Sequence, residues 1–115
     1  MKRTIETAKK YLAMEAPNGY KFNVSRYLKN PAMSCEYPAF IKQIKEDENY
    51  IYYKQVYFFK HYDKTASVYV ETFSRAKCGG DWLVVNNNPS YSEKVVETLP
   101  SGARYNANLL FKYCE

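Results

Sequence analysis

Residues 50–77 constrain this chain more than any other stretch. The run YIYYKQVYFFKHYD, residues 50–63, carries rings at 50, 52, 53, 57, 58, 59, 61 and 62 and contains no proline or glycine. The run after it alternates: Ala66, Val68, Val70, Thr72, Ser74 and Ala76 fall on one side, Ser67, Tyr69, Glu71, Phe73, Arg75 and Lys77 on the other. Side chains of a strand point alternately to its two faces, so this period of two predicts β-structure. Residues 50–62 and 65–77 are therefore expected to form an antiparallel hairpin, joined through Asp63-Lys64.

A two-residue turn sets the pairing: partner numbers sum to 127, placing Phe58 opposite Tyr69, Lys54 opposite Phe73 and Tyr52 opposite Arg75. Ile51, Tyr53, Gln55, Tyr57 and Phe59 then interlock with the small residues of the second arm, as a core surface should. The other face carries Tyr52, Lys54, Phe58, Lys60, Tyr69, Glu71, Phe73 and Arg75, with Val56 among them. Rings interleaved with cations in this way make a candidate partner-binding patch. A slip of one residue in one arm mixes the two sets, because it turns every side chain of that arm over.

Composition sharpens the question these rings raise. Thirteen of the 115 residues are tyrosine, and each hydroxyl needs water or a partner, so the oily core is smaller than a hydrophobic fraction of 46% suggests. With 25% charged residues the balance is that of a folded domain, and the length suits one compact domain over 1–115. The net charge is +5, from 17 Lys and Arg against 12 Asp and Glu. That favours polyanions or acidic protein surfaces as partners. The basic residues are dispersed and mostly lysine, unlike the concentrated charge of a duplex-binding protein.

Around the hairpin, local signals outline the other elements. Thr4 can cap a first helix whose buried stripe is Ile5, Ala8, Leu12 and Ala16, with Glu6 four residues before Lys10. Lys2 and Arg3 stand at the positive end of its dipole. Pro17-Asn18-Gly19 ends it, and Asn23 can cap a short helix over VSRYLKN with Val24, Tyr27 and Leu28 on one side. After the break PAMSCEYP, a third short helix is expected with Phe40, Ile41 and Ile44 inward, leaving KEDEN as an exit turn. Beyond the hairpin, Gly79-Gly80-Asp81 turns into a strand, WLVV. SYSEKVVETL reads slightly better as a helix than as a strand, and ARYNANLLFKYC reads as a last strand. The fold expected is α+β: short N-terminal helices packed as a second layer on an antiparallel sheet of about four strands.

Catalytic and cofactor chemistry finds little support. Cys35, Cys78 and Cys114 form no metal-binding spacing and are expected reduced, and Gly79-Gly80 lacks the context of a phosphate-cradling loop. The single histidine, His61, would need Cys78 or Cys114 beside it and a third group to orient it. Glu71 shows no second carboxylate on its face for paired acid–base work. The expectation is a non-enzyme without metal or cofactor. No apolar run approaches a membrane span, and the N-terminus lacks a signal peptide's apolar segment, so a cytoplasmic protein is the default.

Two binding roles follow from the patch. As interface anchors, tyrosines bury large area at low entropy cost, with lysines on the rim steering an acidic partner. The chain would then be a small module that occludes a larger protein, as an inhibitor, immunity factor or adaptor does. Alternatively, the rings stack bases of single-stranded RNA or DNA while Lys54, Lys60 and Arg75 meet phosphates. The excess of tyrosine over arginine, and Glu71 within the patch, favour a protein. Self-association through the sheet would bury the rings without any external partner.

Overall fold

A computed structural model describes residues 4–29, 38–77 and 91–115. The readings that involve Lys2 and Arg3, the PAMSCEYP break up to Tyr37, Cys35, Cys78, Gly79-Gly80-Asp81 and WLVV lie outside the described residues. Among those described, the order is α1 (Ile5–Leu12), β1 (Lys21–Phe22), α2 (Val24–Leu28), β2 (Ala39–Glu46), β3 (Tyr50–Lys60), β4 (Ala66–Ala76), β5 (Ser92–Leu99) and α3 (Ala107–Phe111). The strands form one antiparallel sheet in sequence order, β1 to β5. The helices lie against one of its faces, giving a two-layer α+β fold.

The hairpin arms are β3 and β4, but their partner numbers sum to 126 rather than 127: Phe58 faces Val68, Lys54 faces Thr72 and Tyr52 faces Ser74. The cause is the turn. His61 N–H donates to the Thr65 carbonyl at 2.9 Å and Lys64 N–H to the His61 carbonyl at 3.2 Å, leaving a three-residue loop, Tyr62-Asp63-Lys64. Lys64 adopts φ 66°, the left-handed residue that closes such a loop. Asp63 Oδ1 fixes it by accepting from Thr65 N at 3.1 Å and Thr65 Oγ1 at 2.6 Å.

That register makes even-numbered residues of both arms share one face, and this face carries the core. Phe22, Phe40, Val56, Phe58, Val68 and Leu99 on the sheet pack against Ala8 and Tyr11 of α1, Tyr27 of α2 and Leu110 of α3. Phe40 is the hub, 6.0 Å from the Phe22 ring and 5.0 Å from the Phe111 ring. Phe40, Val56, Val68 and Leu110 are fully enclosed, each contributing about 1.5–3 kcal/mol relative to an exposed side chain. Tyr27 lies in the same core and sends its hydroxyl to Thr7 Oγ1 at 2.9 Å, tying α2 to α1.

The local capping signals hold. Thr4 and Thr7 form a reciprocal cap at the start of α1, and Asn23 Oδ1 accepts from Arg26 N at 3.2 Å to start α2. Asn18 and Gly19 turn with φ of 58° and 84°, and Asp47 closes the β2–β3 turn by accepting from Asn49 N and Tyr50 N. The α1 stripe is rotated from the one expected: Ala8 and Tyr11 are buried, whereas Ile5 and Leu12 are about half exposed. Glu6 pairs with Lys9 rather than Lys10, at 3.1 Å.

Three elements change type. Residues 39–46 form β2 rather than a helix, and 92–99 form β5 rather than a helix. Each supplies backbone partners to an arm of the hairpin, whose edges would otherwise present long rows of unpaired amide groups. Both accommodate a bulge, beside Gln43/Lys45 in one and Val68/Tyr69 in the other. The expected last strand contains α3 instead. Asn106 caps it, and Ala107, Leu110 and Cys114 are buried at helical spacing, which outweighs the period of two in the same run.

Candidate binding face

The eight residues read as one patch divide between the two faces of the sheet. Tyr52, Lys54, Phe58 and Lys60 share the even face, while Tyr69, Glu71, Phe73 and Arg75 share the odd one, because the pairing is a residue away from that expected. Phe58 is 3% exposed, sealed in the core against the Tyr105 ring. Phe73, also 3% exposed, stacks on Tyr53 at 5.5 Å. Tyr69 is half-buried, stacked on Tyr57 at 5.6 Å with Phe59 at its edge. Arg75 is half-buried opposite Ile51, and Lys60 is exposed opposite Ala66 near the hairpin tip.

The odd face carries a polar network. Gln55, Glu71 and Glu93 oppose one another across β3, β4 and β5, so a second carboxylate does stand beside Glu71. Asn23 Nδ2 donates to Gln55 Oε1 at 2.9 Å, and Gln55 Nε2 donates to Glu71 Oε1 at 3.4 Å. The Tyr57 hydroxyl donates to Glu93 Oε2, and the Arg26 guanidinium lies 4.2 Å over the Tyr57 ring. Burial raises the Glu71 carboxyl above its ordinary range, with Glu93's charge adding to this and Arg26 opposing it. Burial likewise pushes the Tyr57 hydroxyl up, reinforced by its bond to Glu93. Glu71 is 5% exposed, and its Oε1 is engaged by Gln55.

The even face changes character along the strands. One transverse row, Phe40–Val56–Val70, belongs to or borders the core. The next row reads Lys42–Lys54–Thr72–Ser92 across β2 to β5. Lys94, opposite Val70, stands on β5 beside that row. Here the sheet and the C-terminal segment border an open groove of ≈ 450 Å3. Val70 and Val96 supply its apolar lining, Lys54, Lys94, Thr72 and Ser92 its donors, and Tyr113 and Glu115 its wall.

Electrostatics in this groove are unbalanced. Lys42 and Lys54 are directly opposed, a like-charge arrangement that disfavours the fold. Lys42 is engaged: its ammonium donates to the Glu115 carbonyl oxygen at 3.3 Å and lies 5.1 Å over the Tyr20 ring. Lys54 and Lys94 have no ion-pair partner among the described residues. Beneath them, burial pushes the Cys114 thiol up to about 11 although Lys42 and Lys54 pull it down. Burial, then the charges of Cys114 and Glu115, raise the Tyr20 hydroxyl to about 12.

Comparison with known proteins gives no matching family model, no matching curated protein and no matching solved structure. The site therefore rests on its own chemistry. His61 Nε2 lies 2.7 Å from Ser67 Oγ, which also meets Thr98 Oγ1 at 3.2 Å. A serine bonded to an imidazole has the outline of an activated nucleophile. Ser67 is only 2% exposed, however, so the contact clasps the hairpin tip to β5. No three His, Cys, Asp or Glu side chains gather as a metal site would require among the described residues, and none of their helices is long and apolar enough to cross a membrane.

Of the eight predicted residues, Lys54 lies in this groove and Tyr52 stands one row beyond it, its hydroxyl on Asp47 at 2.8 Å and Lys45 5.0 Å over its ring. Thr72, Ser92 and Lys94 were missed. A two-residue turn places Thr72 on the core face, and the other two sit in a segment whose local pattern favours a helix. The Asp63-x-Thr65 contact is the signal that separates the three-residue loop from a two-residue turn.

Proposed function

We propose that this chain is a small basic binding module that docks on an acidic surface of a larger protein and occludes it, as an inhibitor, immunity factor or adaptor does. The observation that carries this reading is the groove on the even face, where Lys54 and Lys94 stand without ion pairs among the described residues, beside the opposed Lys42. Keeping like charges adjacent disfavours the folded state. An acidic partner reverses that cost and is drawn in by the net charge of +5.

Burial of the rings, on both faces of the sheet, favours a protein over a single-stranded nucleic acid. Base stacking needs ring faces in the solvent, and Phe58 and Phe73 are each 3% exposed. The test is recovery of bound molecules on immobilised protein, compared with a Lys54→Glu/Lys94→Glu double variant. The expected result is an acidic protein that survives nuclease treatment, is released by about 0.5 M salt and is missing from the variant. Recovery of oligonucleotide without protein, or equal recovery by the variant, defeats the reading.

A further inference from the structure

We infer that the groove on the even face is a site for a phosphate monoester, presented by a phosphorylated side chain of the docking partner. This deepens the acidic-partner reading and rests on it. The argument turns on the number and kind of donors. Thr72 on β4 directly opposes both Lys54 on β3 and Ser92 on β5, so two hydroxyls and an ammonium stand in one row. Lys94 stands one row nearer the core, on β5. From strand spacing and rise, the Lys54 and Lys94 backbones are roughly 12 Å apart, a gap that two lysine side chains close around one group held above Thr72.

A carboxylate brings one charge and two oxygens to such a setting. A phosphoserine or phosphothreonine brings a charge of about −1.5 to −2 and three strong acceptor oxygens, matching two unpaired ammoniums and two hydroxyls. Lysine suits this role as a point charge that does not demand the planar fork geometry of arginine. Val70 and Val96 give the methylene or methyl of the phosphorylated residue an apolar bed, and the Tyr113 ring walls it. Glu115 is the acidic residue on the lining, and its backbone oxygen accepts from Lys42 beside the groove, while Lys54 and Lys94 are the lining's cations.

The experiment measures fluorescence anisotropy of a short labelled peptide bearing one phosphoserine among glycines and glutamates. It runs beside the same peptide with Ser or Glu at that position, with inorganic phosphate as competitor. The phosphopeptide is expected to bind about ten-fold tighter than the Glu peptide, and to weaken as pH falls through about 6, where the phosphate takes up a proton. Lys54→Gln and Lys94→Gln are each expected to weaken it about ten-fold, Lys94→Gln leaving the melting curve in place and Lys54→Gln, which relieves the repulsion with Lys42, shifting it up if at all. Lys94 is exposed on the edge strand, so its substitution does not put folding at risk. Equal binding of the phospho- and Glu peptides sinks the phosphate preference and leaves the acidic-partner reading standing. No binding of either at low salt removes both. Inorganic phosphate competing as well as the phosphopeptide, or an RNA oligonucleotide binding more tightly than either peptide, also overturns the inference.

Discussion

The two faces of the β3–β4 hairpin are built from alternate residues of the same strands, yet they are held by different physics. On the even face, Phe40, Val56, Phe58 and Val68 interlock with helices and exclude water. On the odd face, Asn23, Gln55 and Glu71 are linked by hydrogen bonds, Tyr57 donates to Glu93 beside them, and Arg26 lies over the Tyr57 ring. The apolar face supplies most of the driving force, since burial scales with area and needs no geometric match between donors and acceptors. The hydrogen-bonded groups of the odd face penalise misregister, because each unmatched buried group costs about 1–3 kcal/mol. Only past the last apolar row does the even face turn cationic and open into a groove.

Neighbouring residues give the sharpest test of this contrast. Phe58 and Phe59 point to opposite faces and are 3% and 52% exposed. Phe58→Ala is expected to cost about 3–5 kcal/mol in urea unfolding, and Phe59→Ala under about 1 kcal/mol. Similar losses at both positions would mean that the faces are not divided as described. The next largest effect concerns the loop that sets the register. Lys64 holds φ 66° without being glycine, so Lys64→Gly is expected to stabilise by about 0.5–1 kcal/mol. A loss of stability there would contradict the three-residue loop.

The smallest effect probes the polar face. Glu71's folded-state pKa lies above its unfolded value, so its contribution is fully present below its ordinary value of 4.5 and is lost as pH rises through the folded value. Glu71→Gln keeps the shape and removes the ionisation. At pH 7 the variant is expected to melt roughly 3 °C higher than the natural protein, with the difference vanishing near pH 4. A variant that melts lower at pH 7 would show that Arg26 compensates the buried charge in full.

What could be read in the sequence was local in origin. The caps at Thr4 and Asn23, the turn at Asn18-Gly19 and the two hairpin arms each follow from a few adjacent residues, and each stands in the structure. Alternation established that the arms had two distinct faces. It did not say which set of one arm joined which set of the other.

Only the tertiary structure decided that, because a single residue of loop length turns one whole arm over. Tertiary pairing also drew 39–46 and 92–99 into strands, since the unpaired edges of β3 and β4 were worth more to satisfy than a short helix's own hydrogen bonds. The basic groove is a product of both choices. Its row of Lys42, Lys54, Thr72 and Ser92 comes from four strands that no local pattern brings together.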